Sequence, residues 1–148
     1  MSVTLAAPAD REKIIRLLRD EGYRITQPRT VIVDAILAQE SGFTADGLYD
    51  ALRGVAGVGR ATVFRTLDTL TRLGYLRRLH GADGCHQYVR ATPGHYHHLV
   101  CTHCGRVVEF DGCSVSAMTD TIAAHTQFRI ESHNLELFGV CPDCQHAR

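Results

Sequence analysis

Two C-x-x-C pairs, Cys101-Thr102-His103-Cys104 and Cys141-Pro142-Asp143-Cys144, hold four of the six cysteines in this 148-residue chain. Each pair can sit on a tight turn with both sulfurs facing one point. Two such turns supply the four thiolates that suit a tetrahedral zinc ion. A shell of four thiolates has no open position, so the expected role is structural: the metal would pin the C-terminal end of the chain to the start of its domain. Two free pairs or a redox motif would use the same residues. In a reducing compartment, this concentration of Cys and His reads as metal binding before disulfides.

A second group is His95-Tyr96-His97-His98, with Glu109 and His133 downstream; seven of the nine histidines follow residue 92. In extended chain, residues two apart point the same way. His95 and His97 therefore share a face and His98 looks to the other, a geometry able to serve two different metal sites. Imidazole with carboxylate suits zinc, ferrous iron or manganese and releases them more readily than four thiolates. His80, Cys85 and His86 are further candidate ligands. For Cys85 and Cys113 a buried structural thiol is the default; His103, His125 and His146 read as solvated surface.

Elements must hold these groups in place. Residues 11–22 read as a short amphipathic helix with Ile14, Ile15, Leu17 and Leu18 on its apolar side and Gly22 as its stop. Thr26 can cap a second helix with Pro28 in its first turn, and Thr44 a third, with Asp46 at the positive end. Residues 60–73 form the clearest helix: Val63, Leu67 and Leu70 mark a buried stripe, and Arg60, Arg65, Asp68 and Arg72 lie opposite. Tyr75–Leu79 and Cys85–Arg90 read as strands around hairpin turn chemistry. Helices followed by a β-hairpin is the order of a winged helix. Ala91-Thr92-Pro93-Gly94 reads as a hinge. Beyond it, Leu99–Cys101 and Arg106–Phe110 read as strands, Val115, Met118 and Ile122 as a helix stripe, and Ile130 to Val140 as one long strand. The class expected is α+β: a winged helix-turn-helix over residues 1–90, a hinge at 91–94, and a small α/β dimerisation domain over residues 95–148.

Composition agrees. Hydrophobic residues make up 45% of the chain, enough for a core. Residues 1–92 carry 13 Arg/Lys against 10 Asp/Glu, and the remainder 3 against 6, so a modestly basic half precedes an acidic one. No apolar run approaches the ~18 residues of a membrane span. Met1 to Lys13 lacks the basic-then-apolar order of a secretory signal, so a cytoplasmic location is expected.

The sequence resembles the ferric uptake regulator family over roughly residues 11–145. The resemblance rests on Arg24-Ile25-Thr26-Gln27-Pro28-Arg29, Thr44-Ala45-Asp46-Gly47-Leu48-Tyr49, Arg60-Ala61-Thr62-Val63-Phe64-Arg65-Thr66-Leu67, the run from His95 to Gly105, and His133 through Cys144. It implies a homodimeric repressor that binds a palindromic operator in double-stranded DNA when a regulatory metal is present. The helix bearing Arg60, Thr62, Phe64 and Arg65 would enter the major groove. Arg65 would meet guanine or a phosphate, and Arg77 and Arg78 in the wing would meet the backbone. The tetrathiolate site carries over as structural zinc. A regulatory site for zinc or ferrous iron, with manganese as an alternative, carries over as His95, His97 and His133, with His98 and Glu109 in a second site at the hinge. The chain departs from the family at Ser116, where a ligand Glu is usual, and at Tyr96, Gly42 and Val89, which replace hinge-site ligands. The hinge site would then recruit His80, Cys85 or His86, or be weaker. Phe64 replaces a usual Tyr; it can touch a thymine methyl but donates no hydrogen bond.

Two other functions compete. A peroxide-sensing repressor of the same family would oxidise a His on bound iron, and the missing hinge ligands argue against it. A small zinc hydrolase would need an open metal position, a general base and a substrate cleft, and the chain has no H-E-x-x-H motif.

Overall fold

The computed structural model describes residues 8–81, 84–111 and 115–146. These form two compact units that divide between Ala91 and Thr92. The first contains helices α1 (Pro8–Asp20), α2 (Gln27–Leu37), α3 (Ala45–Ala51) and α4 (Arg60–Arg72), followed by strands β1 (Leu76–His80) and β2 (His86–Arg90). The Thr26 hydroxyl accepts from the Arg29 N–H to cap α2, and the Thr44 hydroxyl accepts from the Gly47 N–H at 3.0 Å to cap α3. The α4 stripe is fully buried: Val63, Leu67 and Leu70 pack with Ile14 and Leu18 of α1, Ile32, Val33 and Ile36 of α2, and Leu48 of α3. Leu73 ends that helix, and Gly74 follows at φ +75, a left-handed turn that glycine adopts without a Cβ clash. The chain then enters the antiparallel ribbon, where Leu76 faces Arg90 and His80 faces His86. A single bridge from Phe43 to Tyr88 adds the segment before α3 to this ribbon. Helices closed by a β-ribbon make this unit a winged helix-turn-helix. Ala82 and Asp83 of the expected turn lie outside the described residues.

The second unit is a three-stranded sheet in the order β4 (Val107–Phe110), β3 (His97–Cys101), β5 (Glu136–Gly139), with helices α5 (Ser116–Thr126) and α6 (Pro142–His146). The central strand β3 runs antiparallel to β4 and parallel to β5. Two expectations fail here. The long strand from Ile130 to Val140 is only four residues of β5. Its partner β3 begins at His97, and the ladder starts where the His98 N–H reaches the Leu135 carbonyl; earlier residues have no strand beside them. The helix stripe exists but is not buried in this chain: Met118 is 56% and Ile122 45% exposed, and α5 has no buried residue. Expected boundaries also shift: the first helix begins at Pro8 rather than residue 11, and α6 follows the second C-x-x-C start unanticipated. Among the described residues, the second unit buries only Val100 and Cys101 as apolar groups, with His97 and His98 beside them.

Candidate metal centres and nucleic-acid interface

The four C-x-x-C sulfurs converge. Cys101 ends β3, the chain turns back through Thr102 and His103 to Cys104, and Gly105 at φ +73 closes the turn by donating its N–H to the Cys101 carbonyl. The second pair opens α6, and the Thr102 N–H to Gly139 carbonyl bond (2.8 Å) brings the two loops together. All four sulfurs lie within 4.8 Å of one another. Cys104 and Cys141 Sγ are 3.7 Å apart, far beyond a disulfide bond. A tetrahedron with Zn–S distances of ~2.3 Å places its sulfurs about 3.8 Å apart, so the donor set fits zinc. The electrostatics agree. Backbone N–H groups of Cys104 and Cys141 point at Cys101 and push its thiol down to about 5. Hydrogen bonding to Cys141 and Cys104 pushes the Cys144 thiol up to about 12. Four thiols this close do not all ionise without a cation between them.

Arg106 and Asp143, one on each loop, form a 2.6 Å ion pair that ties the turns together. Sequence reasoning missed this pair; its signal was an Arg two residues after the first C-x-x-C and an Asp inside the second.

His95, His97 and His133 form the second group, with ligand atoms within 4.8 Å of one another. His95 and His133 Nε2 are 2.8 Å apart, and the His97 ring lies 4.7 Å from His95 and 5.4 Å from His133. Strand pairing sets His97 against Phe110, an apolar wall. His97 is 1% exposed, and both its ring nitrogens lack a hydrogen-bond partner among the described residues. Burial lowers its pKa, and the neighbouring His95, His133 and His98 lower it further, which keeps the imidazole neutral and able to bind a metal. An imidazole buried with no partner is costly unless something binds it, so this donor set too fits a metal. Ser116 starts α5 as an exposed residue and is not in this group.

His98, on the other face of β3, pairs in register with Glu109. Its Nε2 is 3.6 Å from Glu109 Oε1, and the Thr92 hydroxyl donates to Glu109 Oε2 at 2.7 Å. His80 and His86 face each other at the turn end of the ribbon, rings 5.3 Å apart, with exposed Cys85 beside His86. Cys113 lies outside the described residues.

On α4 the four expected contact residues differ in their commitments. Arg60 forms a 2.6 Å ion pair with Asp46 of α3, and its guanidinium lies over the Phe64 ring at 5.4 Å. Phe64 is half-buried against the core. Thr62 gives its carbonyl to the Thr66 hydroxyl and keeps its own side chain half-exposed. Arg65 is exposed and has no ion pair among the described residues. Arg77 and Arg78, adjacent on β1, point to opposite faces of the ribbon; Arg78 lies against the Tyr88 hydroxyl.

Residues 20–138 match the ferric uptake regulator family. The chain is similar to the ferric uptake regulation protein of Neisseria meningitidis serogroup A, 37% identical over 134 residues that cover 88% of this chain and 92% of that one. It is 30% identical over 135 residues to the peroxide-responsive repressor PerR of Staphylococcus saprophyticus, covering 90% of each. The solved ferric uptake regulator of Vibrio cholerae superposes with a TM-score of 0.69 at 32% identity, over 85% of this chain and 98% of that one.

Proposed function

The chain belongs to the ferric uptake regulator family, and from that premise we propose how it works as a metal-dependent, DNA-binding repressor of metal-homeostasis genes. Zinc on Cys101, Cys104, Cys141 and Cys144 is structural. The regulatory ion, zinc or ferrous iron with manganese as a third candidate, binds His95, His97 and His133. His98 and Glu109 contribute a second pair of donors, and His80, Cys85 and His86 remain candidate ligands on the ribbon of the first unit. The protein acts as a homodimer on a palindromic operator, with each α4 in a major groove. Arg65 reads a base or grips a phosphate there. Thr62 and Phe64 line the same contact, Arg60 holds α4 to α3, and Arg77 or Arg78 meets the backbone from the wing. Its chemistry is binding rather than turnover, so it is read as a regulator and not an enzyme.

The observation that carries the regulatory reading is the buried His97 imidazole, with neither nitrogen hydrogen-bonded among the described residues, facing His95 and His133 in a chain that also holds a separate four-thiol site. Two donor sets of different softness suit a permanent ion and an exchangeable one. Exchange controls DNA binding only if the ion binds the operator-bound conformation more tightly than the free one. The experiment is elemental analysis of the purified protein, followed by operator binding after adding back zinc, ferrous iron and manganese separately. One tightly held zinc per chain and a second, chelatable ion that restores operator binding are expected. Operator binding indifferent to every metal would overturn the reading.

The similarity to PerR favours one second reading, a peroxide-sensing repressor. Peroxide added to the iron-loaded protein would then add an oxygen atom to a ligand His, seen by mass spectrometry, and release the DNA.

A further inference from the structure

The reader helix does not end its basic face at Arg65. Arg72 lies seven residues further along α4, two turns down the same side and about 10 Å away by helical rise. There its guanidinium hydrogen-bonds the Tyr23 hydroxyl, and its central carbon lies 5.7 Å from the Tyr23 ring centroid. A second guanidinium, Arg29, lies 5.6 Å from the same centroid and donates to the Arg24 carbonyl. Two cations from two different helices thus share one phenol ring.

Three features of this cluster are hard to explain by stability alone. Neither Arg29 nor Arg72 has a carboxylate partner among the described residues, whereas Arg60 at the start of α4 is neutralised by Asp46. Arg29 stands in the first turn of α2, the positive end of the helix dipole, where a cation is disfavoured; that turn contains no acidic residue to offset it. The Arg29 Nε is buried and has no hydrogen-bond partner among the described residues. Two guanidiniums held against one ring, one of them at a helix N-terminus and neither neutralised by a carboxylate among the described residues, suit an anion that binds their exposed nitrogens from outside.

We propose that Arg29 and Arg72, braced on Tyr23, form a phosphate-binding clamp that grips the DNA backbone beside the groove read by α4. This rests on the DNA-binding function proposed above and extends the contact surface to α2 and the far end of α4. Stacking on the ring fixes both planar guanidiniums before DNA arrives, so less side-chain freedom is lost on binding. Asp68, the only acid on α4, separates this end of the helix from Arg65. The clamp is therefore a second point of attachment rather than part of the reading site. It carries no sequence information; it fixes register and orientation.

The test measures binding of the metal-loaded full-length protein to its operator duplex and to a mixed-sequence duplex over a range of salt concentrations. Arg72→Gln and Arg29→Gln should each flatten the slope of log affinity against log salt by about 1 and weaken both duplexes by the same factor. Arg72→Lys should keep the slope, because the charge remains. Tyr23→Leu should weaken both duplexes while leaving both cations, and so most of the slope, in place. If instead the Gln variants lower the melting temperature but leave the salt slope unchanged, the cluster is only a bracket between α2 and α4 and the proposal fails. Arg65→Ala serves as the separate control. If it alters operator preference while Arg72→Gln changes nothing, the clamp is wrong and the DNA-reading assignment stands. If the parent binds neither duplex, the DNA-binding reading itself is wrong.

Discussion

Replacing Cys101 by Ser should unfold one unit of this protein and spare the other. Cys101 is the most enclosed of the four thiols, 4% exposed, and receives the Cys141 N–H at 3.3 Å. With three sulfurs left, the zinc shell is incomplete. Structural zinc contributes roughly 10–16 kcal/mol of apparent binding energy, against a total margin of about 5–15 kcal/mol for a folded domain. The second unit has little to fall back on. Its buried apolar groups among the described residues are Val100 and Cys101 itself, and one such side chain contributes about 1.5–3 kcal/mol. The first unit is independent, because its core of Ile14, Leu18, Ile32, Ile36, Leu67 and Leu70 needs no metal. Elemental analysis and a thermal melt followed by heteronuclear NMR would therefore show a zinc-free Cys101→Ser protein. Dispersed signals should persist for residues before Ala91, and those for residues after Thr92 should collapse. A zinc-free variant whose second unit stays dispersed and dimeric would refute the reasoning.

Other outcomes follow from the same geometry. His97 has a folded pKa below its ordinary value, chiefly from burial, so the unfolded chain takes up the proton first. With zinc only at the thiolates, stability of the second unit should be full above about pH 6.5 and fall as pH drops below it. His97→Gln should flatten that dependence in melts across pH. Arg65→Ala should lose operator preference by about 1–3 kcal/mol at one position of each half-site, read by competition with single-base variants; unchanged preference would mean that α4 is not the reader. Ile122→Glu, on the exposed α5 stripe that also carries Met118, should shift the protein from dimer to monomer in analytical ultracentrifugation, because that apolar stripe is left uncovered among the described residues.

Much of the fold could be read locally. Thr26 and Thr44 act within three residues of themselves, and the Val63, Leu67 and Leu70 stripe repeats along one helix, so periodicity and capping were enough. The C-x-x-C pairs were equally legible, because thiolate spacing constrains itself. What was hidden depends on distant chain. Whether Ile130 to Val140 forms a strand depends on where β3 begins, and nothing near residue 130 records that. Met118 and Ile122 have the spacing of a buried stripe, but spacing does not say which chain would cover it. The opposition of His98 to Glu109 is a register between two strands, which the family resemblance implied and spacing alone could not. Alternation along β3 separates His97 from His98, but only the register decides which carboxylate each meets. The Tyr23 cluster joins residues 49 apart, and no local motif signals it.

If an exchangeable ion at the histidine sites licenses DNA binding, operator affinity must follow free metal. The direct measurement is operator affinity against free metal concentration, with zinc already bound at the four thiolates, for the parent protein beside His97→Ala and His98→Ala. A saturable gain in affinity is expected for the parent. In the variants the gain should be lost or moved to higher metal, while both keep one zinc per chain and remain dimers. Operator affinity that is the same with and without added metal, or variants that respond as the parent does, would contradict that dependence on metal.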